Sequence, residues 1–260
     1  MSSAEVNGQR ITYEDTGGSG PAVIFSHGFL MDHTMFEPQV DALRAEFRCV
    51  AWDERGFGGT PATGPFTYWD SANDALALLD LLGIESAVFG GMSQGGFVSL
   101  RAALTAPERV RALVLIDTQA GQESKDVEPA YEAMVEDWVA NGPHETLVGA
   151  VASIIFGGGY DPGPWIAKWQ AAPKEDIREP FTTLLGRDDV TDRLGEITAP
   201  AIIFHGEEDG AISMDKAEAL ESGLGNCVEL VRIPGGGHAS NLSHPDAVNG
   251  PLLEFLRKYA

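Results

Sequence analysis

Short apolar runs suited to a sheet alternate along this chain with stretches whose apolar residues recur every three or four positions. Asn7-Gly8 separates two short alternating runs and predicts a hairpin with a two-residue turn. Residues 22–26, 49–52, 87–89 and 110–116 read as strands, and 110–116 is so continuously apolar that burial on both faces is expected, as in a parallel sheet. Between them lie three helical patterns. Residues 35–46 place Phe36, Val40 and Leu43 on one face, with Phe47 just beyond; residues 68–82 do so with Ala72, Ala75, Leu76, Leu79 and Leu82 before Gly83; residues 93–106 run up to Pro107. After Pro200 the alternation resumes with strand 201–204, helix 215–222, strand 228–233 and helix 247–258.

From about residue 119 to 198 no strand pattern is found. Helical patterns take its place at 130–139, 145–156, 165–171 and 181–185, punctuated by Gly157-Gly158-Gly159 and several prolines. Strands alternating with helices predict an α/β fold with a mostly parallel central sheet flanked by helices. A structureless loop of that length is implausible in a compact domain, so the segment is expected to be a helical lid inserted between two strands, over the carboxyl ends where open α/β sheets bind ligands. The expected division is a core of residues 1–118 and 199–260 and a lid of 119–198; the alternative is that these helices belong to the core.

Composition narrows the partners. With 39 acidic against 17 basic residues the chain carries −22 at pH 7, which opposes nucleic acid and anionic membrane surfaces and leaves a small molecule as the expected partner. Cys49 and Cys227 sit in strand-like runs and are read as buried thiols of a reducing compartment. The first twenty residues show neither a basic nor an apolar leader region, and no run nears the roughly 18 apolar residues of a membrane helix, so a cytoplasmic protein is expected. A homo-oligomer is left open.

The chemistry begins at Gly91-Met92-Ser93-Gln94-Gly95. G-x-S-x-G arises by chance about 0.2 times in a chain with 14 Ser and 31 Gly, so the match alone is weak. Its position, directly after a strand and opening a helix, is that of a nucleophile elbow, where two glycines let the chain turn sharply and the serine Oγ projects above the sheet. The bland alternative is an N-capping serine. A serine nucleophile needs a base. Of the six histidines, His238 follows Gly235-Gly236-Gly237 at the end of the last strand and is the candidate. His205 is read as packed or backbone-bonded, His33 and His144 as solvated, His27 as a structural hydrogen-bonding residue, and His244 as the opener of the final helix. The imidazole in turn needs a carboxylate. Asp209, just past strand 201–204, is preferred; Asp117, just past strand 110–116, is its rival, with Glu207 and Glu208 weaker. Backbone N–H groups of Gln94 and Phe29 are the expected oxyanion donors. No Cys/His cluster suggests a metal, and no cofactor is expected.

Five blocks, Ser26-His27-Gly28-Phe29, Trp52-Asp53-Glu54-Arg55-Gly56-Phe57-Gly58, Gly91-Met92-Ser93-Gln94-Gly95-Gly96, His205-Gly206-Glu207-Glu208-Asp209 and Gly237-His238, stand in an order that resembles the α/β-hydrolase superfamily over nearly the whole chain outside the lid. The resemblance implies a triad of Ser93, Asp209 and His238, an oxyanion hole from Phe29 and Gln94, a cap from the insertion, and supporting roles for Asp53 and Arg55. Residues 47–119 are similar to the 3-oxoadipate enol-lactonase-like and small esterase branches. Serine at the elbow argues against relatives that use an aspartate there, and leaves hydrolysis of a carboxylic ester or lactone. Carbon–carbon bond hydrolases, cofactor-free perhydrolases and receptor-like binding members are the alternatives. Three of the five tryptophans, Trp138, Trp165 and Trp169, fall in the lid. With Ile154, Ile155 and Phe156, and with Met92 beside the serine, they are the candidate lining of an apolar pocket, the alternative being that they pack the lid onto the body.

Overall fold

The computed structural model describes residues 1–122 and 125–260. The chain opens with β1 (Ser2–Val6) and β2 (Gln9–Asp15), joined by Asn7 and Gly8 at φ 50° and 73°, the left-handed pair that a tight hairpin requires. Then follow β3 (Ala22–Ser26), α1 (Glu37–Leu43), β4 (Arg48–Trp52), α2 (Tyr68–Leu81), β5 (Ala87–Met92), α3 (Gln94–Thr105) and β6 (Val110–Ile116). Four helices come next: α4 (Glu128–Asn141), α5 (Glu145–Phe156), α6 (Gly163–Ala171) and α7 (Arg178–Leu185). The chain closes with β7 (Ala201–Gly206), α8 (Met214–Gly223), β8 (Cys227–Ile233), α9 (Ser240–Ser243) and α10 (Pro245–Tyr259). Among the described residues of 119–198 there is no strand.

The eight strands form one sheet in the order β1-β2-β4-β3-β5-β6-β7-β8, parallel from β4 through β8, with the β1–β2 hairpin added antiparallel at one edge. β6 shows why its sequence is apolar from Ala112 to Ile116, after an exposed Arg111 near its start. Leu113 and Leu115 point into one layer with α2, α3 and α8, while Ala112, Val114 and Ile116 point into the other with α1 and α10. β8 lies at the far edge and alternates only weakly, which corrects one expectation: Cys49 is buried, but Cys227 is only half-buried at the open start of that edge strand. α2 begins at a reciprocal cap, Thr67 accepting from the Asp70 N–H while the Asp70 carboxylate takes the Thr67 N–H.

Parallel strands send all their carboxyl ends to one edge. The loops after β3, β4, β5, β6, β7 and β8 therefore meet there, carrying Phe29, Asp53, Ser93, Asp117, Asp209 and His238 in turn. The sharpest of them follows β5. Ser93 has φ 51° and ψ −114°, a conformation that costs an ordinary residue about 1–3 kcal/mol. It is possible only because its neighbours lack side chains: a Cβ on Gly91 would overlap the Gly95 backbone, and one on Gly95 would overlap the Ser26 carbonyl.

Gly95→Ala is therefore expected to be severe, because backbone rather than a mobile side chain stands in the way. Thermal unfolding should show a loss of about 3 kcal/mol or more. A melting temperature within two degrees of the parent would mean that α3 can shift away from β3 without cost.

Candidate active site

At the elbow the Ser93 N–H donates to the Ile116 carbonyl (2.9 Å), and the Ser93 carbonyl accepts from Thr118 Oγ1 (2.7 Å). The turn is thus fastened on one side to the end of β6 and on the other to the loop just after it. Ser93 Oγ lies 3.0 Å from His238 Nε2, and His238 Nδ1 lies 2.8 Å from Asp209 Oδ2. With the carboxylate accepting from Nδ1–H, Nε2 is left as the acceptor facing the serine hydroxyl. Ser93 and His238 are buried, and Asp209 is half-buried with its side chain wholly out of solvent. The Asp209 loop is pinned by its other oxygen, Oδ1, which accepts from the N–H groups of Ala211 and Ile212. Burial by itself would raise the Asp209 carboxyl, but the His238 charge and hydrogen bond, with the Ile212 N–H, hold it below the usual carboxylate range.

Asp117 takes a different position. It is fully buried at φ 46°, and its Oδ1 accepts from the Gly206 N–H (2.8 Å) while Oδ2 accepts from the Ser240 N–H (2.9 Å) and hydroxyl (2.7 Å). It ties the end of β6 to the loop carrying Asp209 and to the turn after His238. Burial, and then the charge on Asp209, push its carboxyl up to about 7.

The remaining histidines sort by their partners. His27 is buried, with Nδ1 on the Gly28 carbonyl and Nε2 accepting from the Glu54 N–H; burial lowers its pKa. His205 is buried with Nε2 on the Ile212 carbonyl, and burial lowers it too. His144 is exposed and caps α5 beside Asp137. His33 overturns its expectation: it is buried, because Asp53 Oδ1 accepts both its N–H and its Nδ1, and that pairing outweighs burial and raises it. Asp53 also accepts from the Gly59 N–H, and Arg55 forks onto Asp74 with bonds of 2.6 and 2.9 Å, so both brace the loop after β4. Among the described residues, two groupings have the residue types of a metal site, Asp32/His33/Asp53 and Asp117/His205/Asp209. In each, the oxygens are already engaged by the N–H, hydroxyl and ammonium groups of the chain.

Phe29 lines the same chamber as Ser93, and Gln94 follows it as the first residue of α3; among the described residues no hydrogen bond ties either N–H to another group of the chain. Ser93 and His238 open into a chamber of about 80 Å³ whose other walls are almost wholly apolar and include Phe29, Leu30, Met92, Met134, Ile154 and Leu184. A wider chamber of about 660 Å³ shares Tyr131, Met134, Val151, Ile154, Ala211 and Ile212 with it and leads outward between α4, α5 and the loop after β7. Of the candidate lining residues, Met92, Ile154 and Ile155 reach the inner chamber. Trp138, Trp165 and Trp169 do not; they line a separate cleft of about 690 Å³ on the other side of the helices. Trp138 shares a helix face with Tyr131 and Met134 but lies one turn, about 6 Å, beyond Met134. Phe156 is buried between Tyr160 and Trp169. Among the lining residues that sequence reasoning missed, Val151 stands three positions before Ile154, Met134 four before Trp138 and Tyr131 seven before it, so helical spacing could have found them; Leu30, Phe97, Leu184 and Ile212, on other elements, carry no such signal.

A family model described as alpha/beta hydrolase fold matches residues 21–245. A protein of Variovorax paradoxus bearing the provisional name carbamate hydrolase RutD is 28% identical over 95% of this chain and 96% of its own. Among solved structures, an enol-lactonase from Burkholderia xenovorans LB400 superposes with a TM-score of 0.89 at 26% identity, covering 99% of this chain and all 100% of its own. A thermophilic esterase from Thermogutta terrifontis, with malate bound, gives 0.87 at 27% identity over 98% and 96%.

The three bonds converging on Asp117 set an expectation for stability. Asp117→Ala leaves two buried backbone donors unpaired and should cost about 2–4 kcal/mol in denaturant unfolding. A loss below about 0.5 kcal/mol would show that water replaces the carboxylate there.

Proposed function

The chain belongs to the alpha/beta hydrolase family and is a hydrolase, and from that premise we propose that it cleaves a carboxylic ester or lactone of a small to medium, largely apolar substrate through an acyl-enzyme on Ser93. The observation that carries this reading is the unbroken relay from Ser93 Oγ through His238 to Asp209, with bonds of 3.0 and 2.8 Å. His238 Nε2 takes the Ser93 proton as Oγ attacks the carbonyl, and Asp209 holds the tautomer and stabilises the imidazolium. The Phe29 and Gln94 N–H groups receive the oxyanion. His238 then protonates the leaving alcohol, and water activated by the same imidazole releases the acid. The helices α4–α7 form the cap, and the apolar walls of the inner chamber favour a neutral group beside the scissile bond. The named activities of the relatives support carbonyl hydrolysis, and a carbamate would undergo the same attack.

The test is hydrolysis of a p-nitrophenyl ester series. Turnover should vanish in Ser93→Ala, and neutral esters should outrun carboxylate-bearing lactones. Undiminished turnover in Ser93→Ala would remove the nucleophile, and the reverse ranking would contradict the apolar subsite. kcat/KM should rise with pH as His238 loses its proton, since only the neutral imidazole is a base, and that limb should disappear in His238→Ala. Asp209→Asn should lower kcat by a factor on the order of 10⁴ through the wrong tautomer. A mild loss there with a severe one in Asp117→Asn would reassign the acid.

A further inference from the structure

We infer that Trp169, in the cap helix α6, is a positioning residue whose indole N–H holds the Leu30 peptide and thereby aims the Phe29 N–H of the oxyanion hole; this rests on the acyl-enzyme reading above. Leu30 stands at φ 64°, a left-handed conformation that a branched, non-glycine residue adopts only when its surroundings impose it. It occupies the third position of a tight turn closed by the Met31 N–H on the Gly28 carbonyl (3.0 Å), and Phe29 is the second. A positive φ at the third position is the demand usually met by glycine. Relaxing Leu30 to negative φ would rotate the Phe29–Leu30 peptide and disturb the turn that presents the Phe29 N–H.

What opposes that relaxation comes from the cap. Trp169 Nε1 donates to the Leu30 carbonyl at 2.7 Å. The adjacent Lys168 Nζ bonds Asp32 at 2.8 and 3.1 Å and Thr34 Oγ1 at 2.6 Å, gripping the same loop just downstream. That ion pair is partly exposed and screened, so the buried indole carries the larger share. The indole is itself fixed, stacked near Phe156 at 6.3 Å and edge-on to Trp138 at 6.5 Å. Phe156 ends α5, where the Ile155 carbonyl accepts the N–H of Ala239, the residue after His238 (2.8 Å). The aromatic block thus holds the oxyanion loop through Trp169 and adjoins, through Phe156, the end of α5 whose backbone bonds the histidine loop, a structural setting for tryptophans that line no part of the catalytic chamber.

Trp169→Phe keeps an aromatic ring and removes the donor. On p-nitrophenyl acetate, kcat should fall about tenfold with KM within twofold. The affinity for phenylboronic acid, whose tetrahedral serine adduct places an oxygen in the hole, should weaken by a similar factor. Because Leu30 also lines the inner chamber, Leu30→Gly alone is the reference: in that background, where φ 64° needs no support, adding Trp169→Phe should cost little further kcat, relieving most of the loss. If Trp169→Phe does not fold, β-(3-benzothienyl)alanine at position 169, the same bicycle without its N–H, gives the same readings. Boronate affinity within twofold of the parent, or a kcat loss that Leu30→Gly does not relieve, overturns the inference. Failure of Ser93→Ala to abolish turnover and boronate binding would instead overturn the acyl-enzyme reading, so the two are told apart.

Discussion

Everything at this edge of the sheet depends on a serine held in a backbone conformation that serine does not favour. Ser93 can take φ 51° because no Cβ occupies the space around it at Gly91 and Gly95, and because the end of β6 and the loop after it fasten it from both sides. The strain is small beside the cooperative packing of β5, β6 and α3, so the fold sustains it. In return the hydroxyl stands clear of its own strand and the first N–H groups of α3 face the same space. A side chain at either glycine would push the helix from the sheet, and the loops that meet Ser93 would lose their common reference.

Those loops are joined to one another as much as to their strands. Asp117 binds the chain before Asp209 and the chain after His238, so the acid and the histidine are set by one carboxylate at the end of a third strand. Asp53 does the same for the loop after β4. These are buried polar groups with their hydrogen-bonding capacity met, which is how such groups come to specify geometry instead of weakening the core. Charge is disposed differently. The chain carries −22, yet among the described residues no carboxylate lines either chamber. Most of the acidity belongs to the outer surface, the inner chamber is left almost wholly to apolar side chains, and Gln119, Gln122, Ser213 and Lys216 enter only the wider one.

Much of this could be read in advance, and the failures have physical causes. Strand 110–116 is legible to the residue because, apart from the exposed Arg111 near its start, a strand buried on both faces is apolar at each position. Sequence alone predicts that β5 stops at residue 89: Gly90 and Gly91 look like breakers, yet they continue β5 to Met92 because β3 and α3 approach too closely for side chains. Asp117 and Asp209 could not be separated by spacing alone, since both follow adjacent parallel strands; only the reach of His238 Nδ1 distinguishes them. His33 looked solvated among polar neighbours because its partner, Asp53, is twenty residues away. Trp138 and Trp165 had the right composition for a pocket, but which side of a helix pair faces the serine is a tertiary fact.

The central claim is that Ser93 is an activated nucleophile, and covalent trapping addresses it most directly. Treatment with diisopropyl fluorophosphate, followed by peptide mass spectrometry, should give a single phosphoryl adduct, on Ser93, formed far more slowly in His238→Ala. An adduct on another residue, or none on Ser93 while the protein still hydrolyses esters, would contradict it.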